Sequence, residues 1–283
     1  MEKITQFHLD SRPIEPSRLK EIATLRDGFE TMKVGLRSFE RYVPTDLVRE
    51  LLSLGKEARI GGEIRHVTLM FCDLAGFTRM SESMGPAAST AMLADYFNLT
   101  ERLITAHGGT VDKYLGDGVM AFWGAPRAHP ESSKGACTAA LAMLRQVSLP
   151  GATLKIRVGI AEGLALVGNI GTPTRLNYTA IGDPVNLASR LEGLAKYYGA
   201  GVLVSEAAAQ SARGAFKLRE VDRVIVLGRE KPESIWELLT TIDDPRYDEM
   251  IVSYGEVLQT YRSADFSRAR GLVEQHRVAF PHD

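Results

Sequence analysis

The chain has 283 residues, with 34 Lys+Arg against 35 Asp+Glu and a formal net charge of -1. That balance excludes a protein that holds nucleic acid through bulk positive charge, but leaves room for a local basic pocket. With 45% hydrophobic and 24% charged residues, scattered histidines, two cysteines (Cys72 and Cys137), no apolar leader in MEKITQFHLD and no bilayer-length apolar run, the composition excludes zinc-finger, secreted, membrane-spanning and disordered classes and fits a reducing cytoplasmic compartment.

Residues 1–16, with Pro13 and Pro16, read as a lead-in. A helix is predicted over 17–41. Ile22, Phe29 and Leu36 form one seven-residue apolar series, and Leu25, Met32 and Phe39 another. That is the a/d seam of a coiled coil, and equally the stripe of an amphipathic helix packed on its own domain. Past Pro44 a short helix is predicted over 45–54, then a break at Gly61-Gly62. From about 64 to 239 strands and helices alternate. HVTLMFC (66–72) is an apolar strand. A helix over 86–107 follows, ended by Gly108-Gly109. TVDKYL (110–115) and VMAFWG (119–124) flank Gly116-Asp117-Gly118, a hairpin signal. Residues 131–147 read as an alanine-rich helix. LKIRVGIAEG (154–163) and LALVGNIG (164–171) read as a second strand pair. Asp183 is expected to be the N-cap, with Pro184 at N1, of a helix that reaches Tyr198 and stops at Gly199. GVLVSE (201–206), KLREVDRVIVL (217–227) and ESIWELL (233–239) are further strands. The hairpins predict an α+β fold with a mostly antiparallel sheet. The tail, 247–276, reads as a helix pair broken at 263–265, half of a helical repeat unit and a packing or partner-binding appendage. The expected domains are a helical linker over 1–60, an α+β domain over 61–242 and a helical appendage over 243–283.

Several residues carry chemistry. Asp73 ends the first strand, before Leu74-Ala75-Gly76-Phe77-Thr78. Gly76 permits close backbone approach, and free N–H groups in that turn, at Phe77 and Thr78, suit phosphate. A carboxylate beside them suits a divalent metal that bridges to phosphate oxygens; it also suits a helix N-cap. Asp117, at the hairpin tip, is by itself a good turn residue. If the two strands are neighbours, Asp73 and Asp117 share a two-metal site for in-line displacement. Asn186 and Arg190 lie four apart on one helix face, where Arg190 can stabilise a phosphoryl transition state and Asn186 fix a sugar oxygen. Lys113 can read a base edge. Arg229 and Lys231, near the Gly228 turn, are candidate triphosphate cations or plain solvated turn residues.

FCDLAGFT (71–78), KYLGDGVMAFWG (113–124), RVGIAEG (157–163) and YTAIGDPVNLASRLEG (178–193) occur in that order. Together they resemble the class III nucleotidyl cyclase catalytic domain, with its ferredoxin-like fold, and most closely the bacterial bicarbonate-responsive adenylate cyclase subclass. The resemblance implies conversion of ATP to 3′,5′-cyclic AMP and pyrophosphate. It makes Asp73 and Asp117 the ligands of two divalent cations (Mg²⁺ or Mn²⁺), with the Leu74 carbonyl helping. It makes Lys113 and Thr179 the base-selecting pair, Asn186 the ribose-orienting residue and Arg190 the transition-state arginine. Lys113 would donate to an adenine ring nitrogen, and Thr179 would accept from the exocyclic amine. It implies a head-to-tail homodimer whose sites draw the aspartates from one chain and Lys113, Thr179, Asn186 and Arg190 from the other. Thr in place of the usual Asp at 179 implies possible bicarbonate regulation. Residues 37–52 resemble the segment that joins bacterial receptor or membrane regions to such a domain. The enzyme alternative is a guanylate cyclase, against which Lys113 and Thr179 weigh. A diguanylate cyclase lacks support, because Ile64-Arg65 break the resemblance of Gly61-Gly62-Glu63 to its signature turn. The non-enzymatic alternative is a nucleotide-sensing interaction module.

Overall fold

The computed structural model describes residues 19–40, 48, 59–146, 155–225, 232–281 and 283. The helix expected over 45–54, the cations Arg229 and Lys231, and most of 37–52 lie outside the described residues. The chain divides into two compact units, one of 1–61 with 169–177 and one of 62–168 with 178–283. In the first, helix α1 (Lys20–Glu40) carries the seven-residue apolar series, and Ile22, Leu25 and Met32 on it are exposed.

The second unit is built on a sheet. The strands, which lie in this unit apart from Gly61 and residues 169–172 and 175–177, are β1 (Gly61–Ala75), β2 (Thr110–Leu115), β3 (Gly118–Trp123), β4 (Lys155–Thr172), β5 (Arg175–Ile181), β6 (Val202–Ser205), β7 (Phe216–Val224) and β8 (Glu233–Thr241). They are ordered β2-β3-β1-β4-β6-β8-β7, with β5 on β4. β1–β3, β2–β3, β6–β8 and β7–β8 are antiparallel, and β4–β6 is parallel. The fold is therefore α+β with a mostly antiparallel sheet.

Side chains alternate across a strand, so each strand feeds two cores. On one face Met70, Cys72 and Leu74 of β1 and Val119, Ala121 and Trp123 of β3 are buried. They pack beneath α3 (Pro86–Ala106), α4 (Ser132–Gln146) and α6 (Glu206–Ala212), whose alanines, including Ala136, Ala139, Ala140, Ala208 and Ala209, let helices lie close to the sheet. On the other face Val67 and Leu69 of β1, Met120 and Phe122 of β3 and Leu203 of β6 meet Leu187, Ala188, Leu191 and Ala195 of α5 (Asp183–Tyr198). Helix α2 (Phe77–Met84) follows β1, and α7 (Asp248–Arg262) and α8 (Phe266–Ala279) close the chain. α7 is held to β7 by the Arg219 guanidinium, 4.7 Å above the Tyr254 ring, and by a hydrogen bond from Tyr254 Oη to the Val221 carbonyl at 3.1 Å.

Three sequence expectations change. The first strand is not preceded by a break: Gly61 and Gly62 begin it. Residues 155–172 are one strand, not a pair, because Gly163 keeps an ordinary backbone conformation; the reversal falls at 173–174, after Gly171 with φ 149°. Asp183 is the first helical residue of α5 rather than its cap; Gly182, at φ 153°, takes the cap position and no side chain bonds there. The structure also contains helices α2 and α6 and strand β5, which are not among the elements expected from the sequence.

α5 approaches β4 at Gly159. A Cβ added to Gly159 would stand 2.1 Å from the Ala188 carbonyl oxygen and 2.3 Å from the Glu192 nitrogen, both helix backbone. Only glycine permits that separation. We expect Gly159→Ala to destabilise the protein by at least about 2 kcal/mol through overpacking. Urea unfolding checks this, and an unchanged midpoint would refute the close packing.

Candidate active site

Asp73 and Asp117 are far apart in sequence and adjacent in space. β1 and β3 pair antiparallel, with Phe71 opposite Met120 and Cys72 opposite Val119. This register carries the end of β1 to the start of β3, where Gly116-Asp117-Gly118 turns the chain. Asp73 follows Val67, Leu69 and Phe71 on the α5 face of the sheet. Partial burial, a hydrogen bond shared with Asp73 and the Asp73 charge push Asp117 up to about 6. Two carboxylates this close resist joint ionisation unless cations are present. The Leu74 side chain is buried in the opposite core, which anchors the backbone carbonyl beside Asp73. Gly76 adopts a left-handed conformation, φ 82°, and opens α2 without a side-chain cap, so the Phe77 and Thr78 N–H groups lack a partner within the helix.

These are hard oxygen donors, suited to Mg²⁺ or Mn²⁺. Among the described residues no group of three or more His, Cys, Asp or Glu could hold a metal alone. Two carboxylates that leave coordination positions for substrate oxygens match the way Mg²⁺ binds with phosphates.

Arg157 and Glu192 went unassigned in the sequence. Arg157 Nη2 on β4 donates to Asp73 Oδ2 at 2.6 Å, and its Nε donates to Glu192 Oε1 on α5 at 3.1 Å. Burial and the Asp73 charge push Glu192 upward, with Arg157 opposing. Arg157 stands inside RVGIAEG, so the motif marked it, but nothing in the spacing named its partner.

Lys113 and Thr179 also meet. Lys113 Nζ donates to Thr179 Oγ1 at 3.2 Å, joining β2 to β5. Asp112, likewise unassigned, completes the group: Thr179 Oγ1 donates to Asp112 Oδ2, and Lys113 Nζ is 3.3 Å from Asp112 Oδ1. The Asp112 side chain is 1% exposed, against 37% for Lys113. A β-bulge brings it there. Val111 pairs with Ala121 but Lys113 with Met120, so one residue is extra and the normal alternation breaks.

Asn186 and Arg190 lie one turn apart on α5. Asn186 is exposed and Arg190 partly so, while Leu187, Ala188 and Leu191 between and beyond them are buried. Neither side chain has a hydrogen bond or ion pair among the described residues. Within one chain the structure thus forms two clusters, Asp73–Asp117–Arg157–Glu192 and Asp112–Lys113–Thr179, and leaves Asn186 and Arg190 unengaged.

The family model for the adenylate and guanylate cyclase catalytic domain matches residues 62–239. Adenylate cyclase 1 of Rhizobium meliloti (strain 1021) is 36% identical over 236 residues, covering 80% of this chain and 35% of that protein. The chain thus spans about a third of the length of this curated relative. The crystal structure of the adenylyl cyclase CyaB from P. aeruginosa aligns with TM-score 0.58 and 32% identity, covering 66% of this chain and 98% of that one. That of the guanylyl cyclase Cya2 aligns with TM-score 0.58 and 30% identity over 66% of this chain and 98% of that one. With the match running from within β1 to within β8, and so over both acidic strand ends and the helix of Asn186 and Arg190, the chain belongs to the adenylate and guanylate cyclase family.

Proposed function

We propose that this chain is an adenylate cyclase, converting ATP to 3′,5′-cyclic AMP and pyrophosphate at sites shared across a homodimer. The observation that carries the reading is the Lys113–Thr179 contact at 3.2 Å. It joins a fixed cation and a hydroxyl at one place, matched to a base edge with a ring-nitrogen acceptor beside an exocyclic amine. Guanine presents the opposite pattern, with a ring N–H beside a carbonyl oxygen, so the same pair disfavours GTP.

The 3′-hydroxyl oxygen attacks the α-phosphorus, an O–P bond forms, and the bond to the pyrophosphate oxygen breaks. Bound at Asp73, Asp117 and the Leu74 carbonyl, two divalent cations supply acidity to the hydroxyl and charge neutralisation to the triphosphate. Arg190 stabilises the charge that grows on the α-phosphate, an interaction made fully only in the transition state. Asn186 holds the ribose so that its 3′-oxygen faces the phosphorus. The Phe77 and Thr78 N–H groups point donors toward phosphate oxygens at the start of α2. No side chain of the described site is placed as general base, and a substrate phosphate oxygen can take the proton. Asn186 and Arg190, unengaged among the described residues of their own chain, complete the partner's aspartate site. Among the described residues no helix is long and apolar enough to cross a membrane.

Product identity tests the reading: cyclic AMP from ATP with Mg²⁺ or Mn²⁺ is expected, and cyclic GMP from GTP as the main product would overturn it. Asp73→Ala and Asp117→Ala should each abolish turnover while the melting temperature stays close to wild type; retained activity in either sinks the metal assignment. Arg190→Ala should lower kcat by about two to three orders of magnitude. Mixing inactive Asp73→Ala with inactive Arg190→Ala should restore activity through heterodimers that contain one intact site. A dead mixture with proven subunit exchange would refute shared sites. Thr at position 179 supports a bicarbonate-responsive reading, on which turnover should rise with bicarbonate at fixed pH. A flat response removes that regulation.

A further inference from the structure

The Thr179 hydroxyl is chemically ambiguous. A hydroxyl has one hydrogen to donate and two lone pairs to accept with, and it rotates to suit its partner. A free threonine could accept from the amine of adenine or donate to the carbonyl of guanine. By itself it selects neither.

Its surroundings remove the ambiguity. Lys113 carries an ammonium, which has donors and no lone pair, so in the Lys113–Thr179 contact at 3.2 Å Thr179 must accept. Asp112 lies on the other side, and an ionised carboxylate only accepts, so Thr179 must donate there. Asp112 faces the Lys113 ammonium at 3.3 Å, which favours the ionised, accepting carboxylate, and it accepts from the Ala180 backbone as well. Burial is the largest influence and pushes the Asp112 carboxyl upward; the hydrogen bonds from Thr179, Lys113 and the Ala180 backbone, and the Lys113 charge, oppose that rise. The sole hydrogen of Thr179 is therefore committed to Asp112. What Thr179 can show a substrate is a lone pair.

We propose that Asp112 is a specificity-positioning residue, which fixes the Thr179 hydroxyl as an obligatory acceptor and so favours adenine over guanine. This rests on the reading of Lys113 and Thr179 as the base-selecting pair. Asp112 need not touch the base; it acts through the oxygen it orients. The β-bulge at 111–113 is what allows adjacent Asp112 and Lys113 both to reach Thr179.

The test uses the full chain and compares kcat/KM for ATP and GTP. In Asp112→Asn the oxygen toward Lys113 can remain, and the new amide then faces Thr179 as a donor, freeing the threonine hydrogen for a substrate carbonyl. The ATP/GTP ratio should fall about tenfold or more, mostly through KM, with the melting temperature close to wild type. Asp112→Ala, which frees the hydroxyl rotor, should move the ratio in the same direction. Competition binding of non-cyclisable α,β-methylene ATP and GTP reads the same preference without turnover. If Asp112 acts through Thr179, Asp112→Asn should not change the ratio further in a Thr179→Val background. Equal losses for both nucleotides in Asp112→Asn would overturn the proposal, as would a changed ratio in that background. A Thr179→Val protein that keeps the wild-type ratio would instead refute the base-selecting pair itself, a distinguishable failure.

Discussion

Two carboxyl groups held side by side set the terms for this structure. The β1–β3 register brings Asp73 beside Asp117. Asp117 is pushed upward by partial burial and then by Asp73, which is the cost of that juxtaposition. Arg157 answers part of it by donating to Asp73 from β4. A carboxylate pair kept together despite repulsion is relieved by a nearby cation, and its oxygen donors match hard ones.

The same requirement reaches the helix that carries Asn186 and Arg190. Arg157 is itself held by Glu192 of α5, so the ion pairs run from β1 through β4 into α5. α5 can lie that close because β4 presents Gly159 beneath it. With Leu187, Ala188 and Leu191 buried, the helix has a fixed rotation about its axis, and that rotation leaves Asn186 and Arg190 outward. The residues that bury a helix thus decide which of its polar residues face outward.

Much of this was legible in the residues. The apolar run before Asp73, the glycine-flanked Asp117 and the i,i+4 spacing of Asn186 and Arg190 are local patterns, and each element they predict is present. The misplaced turn in 155–172 shows where such reading fails. Gly163 resembles a chain reversal in the sequence, but its backbone stays extended within β4 and the reversal comes after Gly171. Glycine permits a turn; it does not require one. Arg157, Glu192 and Asp112 went unassigned for a related reason. A charged residue in a strand or helix looks solvated until its partner, tens of residues away, is known.

The sequence by itself determined most of the longer strands and helices, the α+β class and the residue types able to carry the chemistry, because those follow from spacing and side-chain identity along the chain. Only the tertiary structure decided which carboxylates are neighbours and which way the Thr179 hydroxyl points. Both depend on strand register and on one extra residue in the β2–β3 ladder. Regular alternation from Val111 would place Lys113 on the Val111 face; the bulge sends it to the other. A one-residue irregularity leaves no period to read, but it reverses the face on which a side chain stands.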